Sequence, residues 1–212
     1  ECYNNQLTSL DVSANTALGN LNCWHNQLTS LDVSANTALT YLVCTWNQLT
    51  TLDVSNNTAL TGLLCYNNQL TSLDVSNNTL LSELQCNTNQ LTSLDVSNNT
   101  ALQILNCGAN QLTSLDVSKN TALVELACSE NQLTYLNMRN GITEQLIVFH
   151  ENYNPNLTCI EVLDPVYATA NWTSANGNID AGVTFAVICG GTDLTKWHVD
   201  PSGSDAQGKG TL

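Results

Sequence analysis

The sequence predicts a mostly β solenoid, and three observations support this prediction. First, cysteine recurs every 21 residues, at Cys2, Cys23, Cys44, Cys65, Cys86, Cys107 and Cys128, and a fixed period of about 20–50 residues is typical of solenoids. Second, hydrophobic and polar residues alternate within each repeat, as they do in β-strands. Third, we find no stretch with the length and 3.6-residue period of a helix.

One complete repeat, LGNLNCWHNQLTSLDVSANTA, shows how a coil is built. Leu21 and Cys23 are predicted to point inward, while Asn22 and Trp24 point outward, which gives a short strand. Stacked coils would pair these strands in parallel, about 4.8 Å apart. The alternation in residues 31–34 predicts a second short strand on the opposite side of each coil. We therefore expect about seven to eight coils with little or no α-helix.

The repeat loosens after Cys128, which suggests three regions. We predict a solenoid over residues 1–148, a modified last coil with a C-terminal β cap over 149–189, and a linker or tail over 190–212. In the last coil, Phe149 lies one period after Cys128, and Asn152 is in register with Asn131. Residues 166–172 and 183–188 are predicted to form two short cap strands. The first coil lacks an N-terminal cap, so we expect a longer precursor.

The composition argues against two classes of partner. The chain has 4 Lys+Arg against 18 Asp+Glu, for a net charge of −14. Such a surface repels phosphate backbones and lacks the basic clusters that bind anionic lipids, so we expect neither nucleic acid nor a membrane surface as a partner. No apolar run reaches about 18 residues, which argues against membrane insertion. We expect a soluble monomer.

Enzyme motifs are missing from the sequence. It contains no nucleophile elbow, zinc-protease motif, P-loop or dinucleotide fingerprint, and His25, His150 and His198 are scattered. Glu130 and Glu151 lie one period apart, but we interpret them as exposed, solvated acids rather than an acid–base pair. We therefore predict no catalytic residue, no cofactor and no metal.

The nine cysteines divide into seven in the repeats and two beyond them. The seven occupy a core position and are interpreted as small buried hydrophobes, because no CxxC spacing typical of metal sites occurs. Cys159 and Cys189 lie outside the repeats, and we predict a disulfide between them. It would close a loop of about 30 residues, contribute roughly 3–4 kcal/mol and imply an oxidising compartment.

The segment LxxLxCxxNQL resembles the leucine-rich repeat, LxxLx(L/C)xxNxL, at every fixed position of coils two to six. Its 21-residue length and second LDV half are similar to the short bacterial repeats of the IRREKO class, over about residues 1–148. The LTCIEV…ANWT…IDAGVTF…C region resembles end caps of secreted and surface bacterial leucine-rich-repeat proteins. The resemblance implies a bacterial protein, secreted or at the cell surface. It also implies a structural ladder of inward-turned asparagines that satisfy backbone groups: Asn5, Asn26, Asn47, Asn68, Asn89, Asn110 and Asn131.

Binding information in such a solenoid should lie where the coils differ. The variable positions cluster around the first strand, and aromatic residues concentrate in the first four coils. The candidate ligand-binding face consists of Tyr3, Trp24, His25, Tyr41, Val43, Trp46, Leu64 and Tyr66. This composition suits contact with a protein or glycan ligand at a cell surface, as in adhesion or host interaction. Ordinary sheet surface would explain the same aromatics, and a rigid structural spacer is the alternative function.

A stripe of aspartates accompanies the second half of the repeats: Asp11, Asp32, Asp53, Asp74, Asp95 and Asp116. Carboxylates about 5 Å apart repel one another by somewhat under 1 kcal/mol per pair in water, so something must compensate. Hydrogen bonds from neighbouring Ser, Thr or backbone groups are one explanation, and bridging Ca²⁺ is another. Repeated threonines raise a third idea, ice binding, although the charged stripe interrupts a flat face.

Overall fold

The computed structural model describes residues 1–190, which form a parallel β solenoid of about eight coils. One side of the solenoid carries a seven-stranded parallel sheet, here called the long sheet. Its strands are three residues each: β1 (Asn20–Asn22), β2 (Tyr41–Val43), β3 (Gly62–Leu64), β4 (Glu83–Gln85), β5 (Ile104–Asn106), β7 (Glu125–Ala127) and β9 (Val148–His150). The predicted fold class, a mostly β leucine-rich-repeat solenoid, is confirmed.

The pairing register follows the sequence period until the last step. Leu21 lies opposite Leu42, one period along, but Leu126 lies opposite Phe149, 23 residues along. The expectation that Phe149 would take the position of Cys128 is therefore wrong. The two extra residues enter at the bend before β9, where Ile142 and Thr143 are buried and the Gln145 amide donates to the Ile142 carbonyl at 2.9 Å.

The opposite side of the solenoid carries a four-stranded sheet, here called the short sheet, in the order β11-β10-β8-β6. Its strands are β6 (Ser114–Asp116), β8 (Tyr135–Met138), β10 (Cys159–Val162) and β11 (Thr184–Ala186). The second strand predicted for every coil is therefore wrong for the earlier coils. Leu31 and Val33 are buried as expected, but Ser30 and Asp32 are exposed, so water can satisfy their backbone groups without a ladder.

The core runs along the solenoid axis as columns of identical side chains. Each interior coil buries leucines, a cysteine and a valine, as Leu42, Cys44, Leu49 and Val54 do in the third coil. Each buried leucine contributes about 1.5–3 kcal/mol through removal of apolar surface from water. Because each coil packs on its two neighbours, this stabilisation is shared between adjacent repeats.

The C-terminal cap contains a helix where a strand was predicted. Residues Pro165–Asn171 form α1, so the prediction of a strand over 166–172 is wrong. Asp164 caps the helix by accepting from the Tyr167 amide at 2.9 Å, and Pro165 suits the first helical turn. The helix delivers Trp172 onto Phe149, with ring centroids 4.6 Å apart. The second predicted cap strand, over 183–188, contains β11.

A disulfide fastens the end of the cap. Cys159 at the start of β10 is bonded to Cys189, with their Cα atoms 5.9 Å apart, as predicted. The division between solenoid and cap at residue 148 stays a prediction, and β9 runs across it. The predicted linker or tail over 190–212 lies outside the described residues except for Gly190. In residues 1–190 there is no helix long and apolar enough to span a membrane.

Candidate recognition face

A ladder of asparagines holds each turn that follows a long-sheet strand. The Asn110 side-chain amide donates to the carbonyls of Cys86 at 3.1 Å and Cys107 at 3.0 Å, and its oxygen accepts from the Leu91 amide at 2.9 Å. Each asparagine therefore satisfies backbone groups of two coils. The structure places this role at Asn26, Asn47, Asn68, Asn89, Asn110 and Asn131, with Asn5 bonding only within the first coil.

In the last coil this role falls to Asn154 rather than to Asn152. The Leu133 amide donates to the Asn154 side-chain oxygen at 3.0 Å, and the Asn154 side-chain nitrogen donates to the Cys128 carbonyl at 3.1 Å. The expected register of Asn152 with the ladder is wrong because two residues are inserted before β9.

A second, deeper asparagine ladder, which was not predicted from the sequence, holds the other bend of the coil. Asn57 donates to the Val33 carbonyl at 3.0 Å and to the Asn36 carbonyl at 2.9 Å. Its signal was present, because asparagine recurs at the second bend as regularly as at the first. The members are fully buried: Asn36, Asn57, Asn78, Asn99 and Asn120. The two ladders together fix both edges of every coil, so the outer side chains are held in straight rows.

The cysteine ladder lies directly beneath the long sheet. The thiols from Cys23 to Cys128 are buried. Loss of solvation on burial, the largest cause, raises the pKa of Cys23 and of Cys107 to about 12. Because the thiolate is the reactive form, these groups act as small apolar core residues rather than as nucleophiles or metal ligands.

The outer face comprises the outward side chains of the long sheet and the turn residue that follows each strand. This turn residue has a positive φ of 49–65° in every coil: Asn4, His25, Trp46, Asn67, Thr88, Ala109, Glu130 and Tyr153. A left-handed backbone is unfavourable for most side chains, yet the turn accepts seven different residue types. The repeat therefore fixes the backbone position of each turn residue, while the identity of its side chain differs from coil to coil.

An aromatic cluster forms the N-terminal half of this face. The rings of Tyr3 and Trp24 stack with centroids 5.7 Å apart and an interplanar angle of 16°. His25 tilts against Trp24 at 5.6 Å, and its Nδ1 lies 2.8 Å from the Asn4 side-chain oxygen. Trp46 remains 52% exposed and Tyr3 42% exposed. The cluster thus keeps open aromatic surface on an ordered scaffold.

The Tyr41 side chain is held in place by contacts with the two following coils. Its ring lies over Gly62, where an added Cβ would meet the ring at 2.1 Å, and its hydroxyl donates to Glu83 at 2.7 Å. Burial, followed by the bond to Glu83, raises the pKa of Tyr41 to about 12. Val43 and Leu64, the neighbouring apolar members of the face, are half-buried, as is Tyr66.

The last coil places different side chains on the outer face from those that the sequence predicted. Glu151 was expected to be an exposed acid beside Glu130, but it is fully buried at the position that Cys128 occupies one coil earlier. Tyr153, which is 66% exposed, takes the turn position of Glu130 instead. The two acids therefore do not face each other, and the cause is again the two-residue insertion.

The aspartate stripe is built into the turns of the second half-coil. In each member from Asp11 to Asp116, a side-chain oxygen accepts from the amide of the serine two residues later, at 2.8–2.9 Å. These serine hydrogen bonds lower the pKa of Asp32 and offset the repulsion along the stripe. Within residues 1–190 there is no group of three or more His, Cys, Asp or Glu side chains arranged to hold a metal ion.

The 21-residue coil, its two amide ladders and its buried thiols define a leucine-rich-repeat protein, and the chain belongs to this class. It is similar to the solved functional domain of InlJ from Listeria monocytogenes, which includes a cysteine ladder, at 38% identity and a TM-score of 0.71. The match covers 78% of this chain and 36% of that one, so the chain spans about a third of the domain.

Two further solved structures share the fold. A leucine-rich-repeat protein of Leptospira interrogans matches at 24% identity and a TM-score of 0.62, covering 74% of this chain and 46% of that one. Internalin C2 of Listeria monocytogenes matches at 21% identity and a TM-score of 0.61, covering 87% and 78%. A family profile described as LVIVD repeat matches residues 32–67, which is less than two coils. No curated protein matches the chain.

Proposed function

We propose that this chain is a non-enzymatic recognition module whose aromatic outer face binds a protein or glycan at a cell surface. The observation that carries the proposal is the open aromatic surface of the first coils: the Tyr3–Trp24 stack, and Trp46, which is 52% exposed at the turn position one coil after His25. Tryptophan and tyrosine combine a large contact area with a polar group, and they are enriched where interfaces concentrate their binding energy.

The scaffold beneath the cluster supports this role. Trp24 and Trp46 follow strand ends whose turns are held by Asn26 and Asn47, and the Asn47 side chain makes hydrogen bonds to backbone groups of two coils. Ordering the binding surface in advance reduces the entropy lost on association. By contrast, the second half of each coil repeats nearly the same Leu-Thr-Ser-Leu-Asp-Val letters, which offer little to distinguish one ligand from another.

Two further observations support a place at the bacterial surface and a role in adhesion or host interaction. The Cys159–Cys189 disulfide suits an oxidising compartment, and therefore a secreted or surface location. The likeness to InlJ of Listeria monocytogenes supports a binding or adhesion role of the leucine-rich-repeat kind rather than an enzymatic one.

The test compares two sets of variants on glycan arrays and on arrays of extracellular proteins. Trp24→Ser and Trp46→Ala remove the cluster, and both are expected to fold because the chain itself places Ser129 and Ala109 at the same two positions. Asn87→Ser and Thr88→Ala change those positions in the fifth coil and serve as controls. We expect the tryptophan variants to lose binding at least tenfold and the controls to retain it; ligands bound equally by all four variants would contradict the proposal.

A structural spacer is the alternative function, favoured by the near identity of the repeats. Deleting residues 91–111 joins Gln90 to Leu112 and restores the repeat letters. A spacer should keep its function after this deletion and bind nothing on either array. A recognition module should keep its fold yet show specific ligands that depend on Trp24 and Trp46.

A further inference from the structure

Glu151 occupies a position that the rest of the solenoid reserves for a thiol. The Cys107 amide donates to the Ala127 carbonyl at 2.9 Å, and the Cys128 amide donates to His150 at 2.8 Å in the same pattern. Asn154 then donates to the carbonyls of Cys128 and Glu151, as Asn131 does to those of Cys107 and Cys128. Glu151 is therefore the eighth rung of the cysteine ladder.

A carboxyl group at this position is poorly accommodated. Glu151 is 0% exposed, and neither of its carboxyl oxygens has a hydrogen-bond partner within ordinary geometry. A thiol tolerates such surroundings, whereas a buried polar group without partners costs free energy, and a buried charge costs much more. Within residues 1–190, the eighth rung is consequently the one ladder position at which a carboxyl group, by gaining or losing a proton, decides whether the core carries a charge.

The cap closes directly over this carboxyl group. The cap loop, residues 173–183, replaces a ninth coil: the Glu151 amide donates to the Asn178 carbonyl at 2.9 Å, and the Asn178 side chain donates to the Phe149 carbonyl at 3.1 Å. The Asp180 carboxylate accepts from the amides of Tyr153 at 2.9 Å and Asn154 at 2.7 Å. These contacts seat the loop on the last coil.

The charges around Glu151 favour its neutral form. From the cap loop, the Asp180 carboxylate faces it; from the seventh coil, the Cys128 thiol does; and His150 beside it is exposed on the outer face. Burial, with the Asp180 charge as the second cause, raises the pKa of Glu151 to about 8. The Asp180 backbone and the Asn154 side chain lie close enough to lower it in part, but neither makes a hydrogen bond of ordinary geometry to the carboxyl oxygens. The one ion pair in residues 1–190 joins Arg139 to Glu161 and does not involve this group.

We propose that Glu151 makes the C-terminal cap a pH-sensitive latch, closed while its carboxyl group carries a proton and released when the group ionises. Ionisation would place a second negative charge beside Asp180 without a counter-ion, and opening the loop lets water solvate it. Because the closed-state pKa lies above the ordinary value of 4.5, closure is favoured in acid. The equilibrium constant for opening should rise up to about tenfold per pH unit between those two pKa values and then level off.

Hydrogen exchange measures this opening directly in the full chain. The amides of Glu151, Tyr153 and Asn154, which donate to the cap loop, report its opening. Those of Cys65 and Cys86, in the middle of the solenoid, serve as references. After correction for the intrinsic pH dependence of exchange, we expect protection of the loop amides to fall steeply from pH 5 to pH 8 while the references change little.

Two substitutions isolate the carboxyl group. Glu151→Gln keeps the shape without ionising, and Glu151→Cys restores the ladder residue, which serves if the glutamine variant does not fold. Both should make loop protection independent of pH over this range. The proposal would be overturned if protection of the loop amides did not depend on pH in the unmodified chain, or if the pH dependence persisted in these variants. So would a carboxyl-carbon NMR titration that places the pKa of Glu151 near 4.5.

Discussion

At the scale of single residues, side-chain amides do much of the work that a longer strand would otherwise do. The long-sheet strands are only three residues long, so few backbone groups pair within the sheet. Asparagines at both bends supply missing partners: those of the first ladder both donate and accept, whereas the buried members of the second ladder donate only. The regular recurrence of asparagine in the sequence therefore reflects backbone satisfaction, not recognition.

The first prediction concerns one interior rung of this ladder. Asn110→Ala should lower the free energy of unfolding by about 1–3 kcal/mol. It leaves the Leu91 amide without a partner, and it removes one of the two asparagine donors from the carbonyls of Cys86 and Cys107, which keep their bonds to Asn89 and Asn131. Urea denaturation measures the loss. The neighbouring exposed Gln111→Ala should change stability by less than about 0.5 kcal/mol; similar losses in both variants would contradict this account.

The second prediction concerns the left-handed turn. Thr88 is a β-branched residue at φ 54°, a conformation that asparagine tolerates better. Thr88→Asn should therefore stabilise the chain by about 1 kcal/mol, measured as an increase in melting temperature. Thr92→Asn, at an exposed site without positive φ, is the matched control and should give no gain.

At the scale of elements, the long-sheet strand of each coil could be read from the sequence, but the helix of the cap could not. The alternation around Leu21 and Cys23 gave the strand and its buried side correctly because each coil sees identical neighbours. The helix at Pro165–Asn171 was missed since its seven residues are too few for a clear 3.6-residue period, although Asp164 and Pro165 were a readable start signal. The two-residue insertion before β9 is not marked by any repeat letters, so Phe149 and Asn152 were assigned to the wrong positions.

The candidate site was predictable in outline only. That Trp24 lies on the outer face follows from alternation, which the sequence shows. Trp46 lies two residues after Cys44, where alternation would turn it inward, and it is exposed because it occupies the left-handed turn. The bridge from Tyr41 over Gly62 to Glu83 joins residues two coils apart and depends on one missing side chain. Such an interaction depends on how the coils stack, and the pattern of a single repeat does not contain that information.

The third prediction concerns the disulfide that closes the cap. Replacing Cys159 and Cys189 with serine should cost roughly 3 kcal/mol, as expected for a loop of about 30 residues. Thermal melts with and without reductant measure this: the original chain should shift to lower temperature in reductant, whereas the double variant should not shift further. A reductant effect in the double variant would mean that the buried ladder thiols also form disulfides.

At the scale of the whole molecule, two kinds of acidic group have opposite effects on how the free energy of unfolding changes with pH. The serine-bonded aspartates, such as Asp32 and Asp53, have lowered pKa values, so their contribution is present above the ordinary value of 3.8 and is lost as pH falls through the lowered ones. Glu151 has a raised pKa of about 8, so stability is lost as pH rises from 4.5 towards 8. The balance favours a mildly acidic optimum.

The fourth prediction follows from this balance. Urea denaturation across pH 3–9 should show greatest stability near pH 4–5, with a decline of up to about 1.4 kcal/mol per pH unit above it. Glu151→Gln should flatten that decline and leave the loss below pH 4 unchanged. A flat profile from pH 5 to pH 8 in the original chain would contradict the prediction.

The row of left-handed turn positions has a practical consequence for engineering. Eight sites, one per coil, already hold Asn, His, Trp, Thr, Ala, Glu or Tyr on the same backbone. The sequence itself therefore shows that this turn tolerates side chains of very different size and charge. Randomising these sites would give a library of variants whose side chains stand in a row at a spacing of about 4.8 Å. Every variant would keep the same backbone and both asparagine ladders.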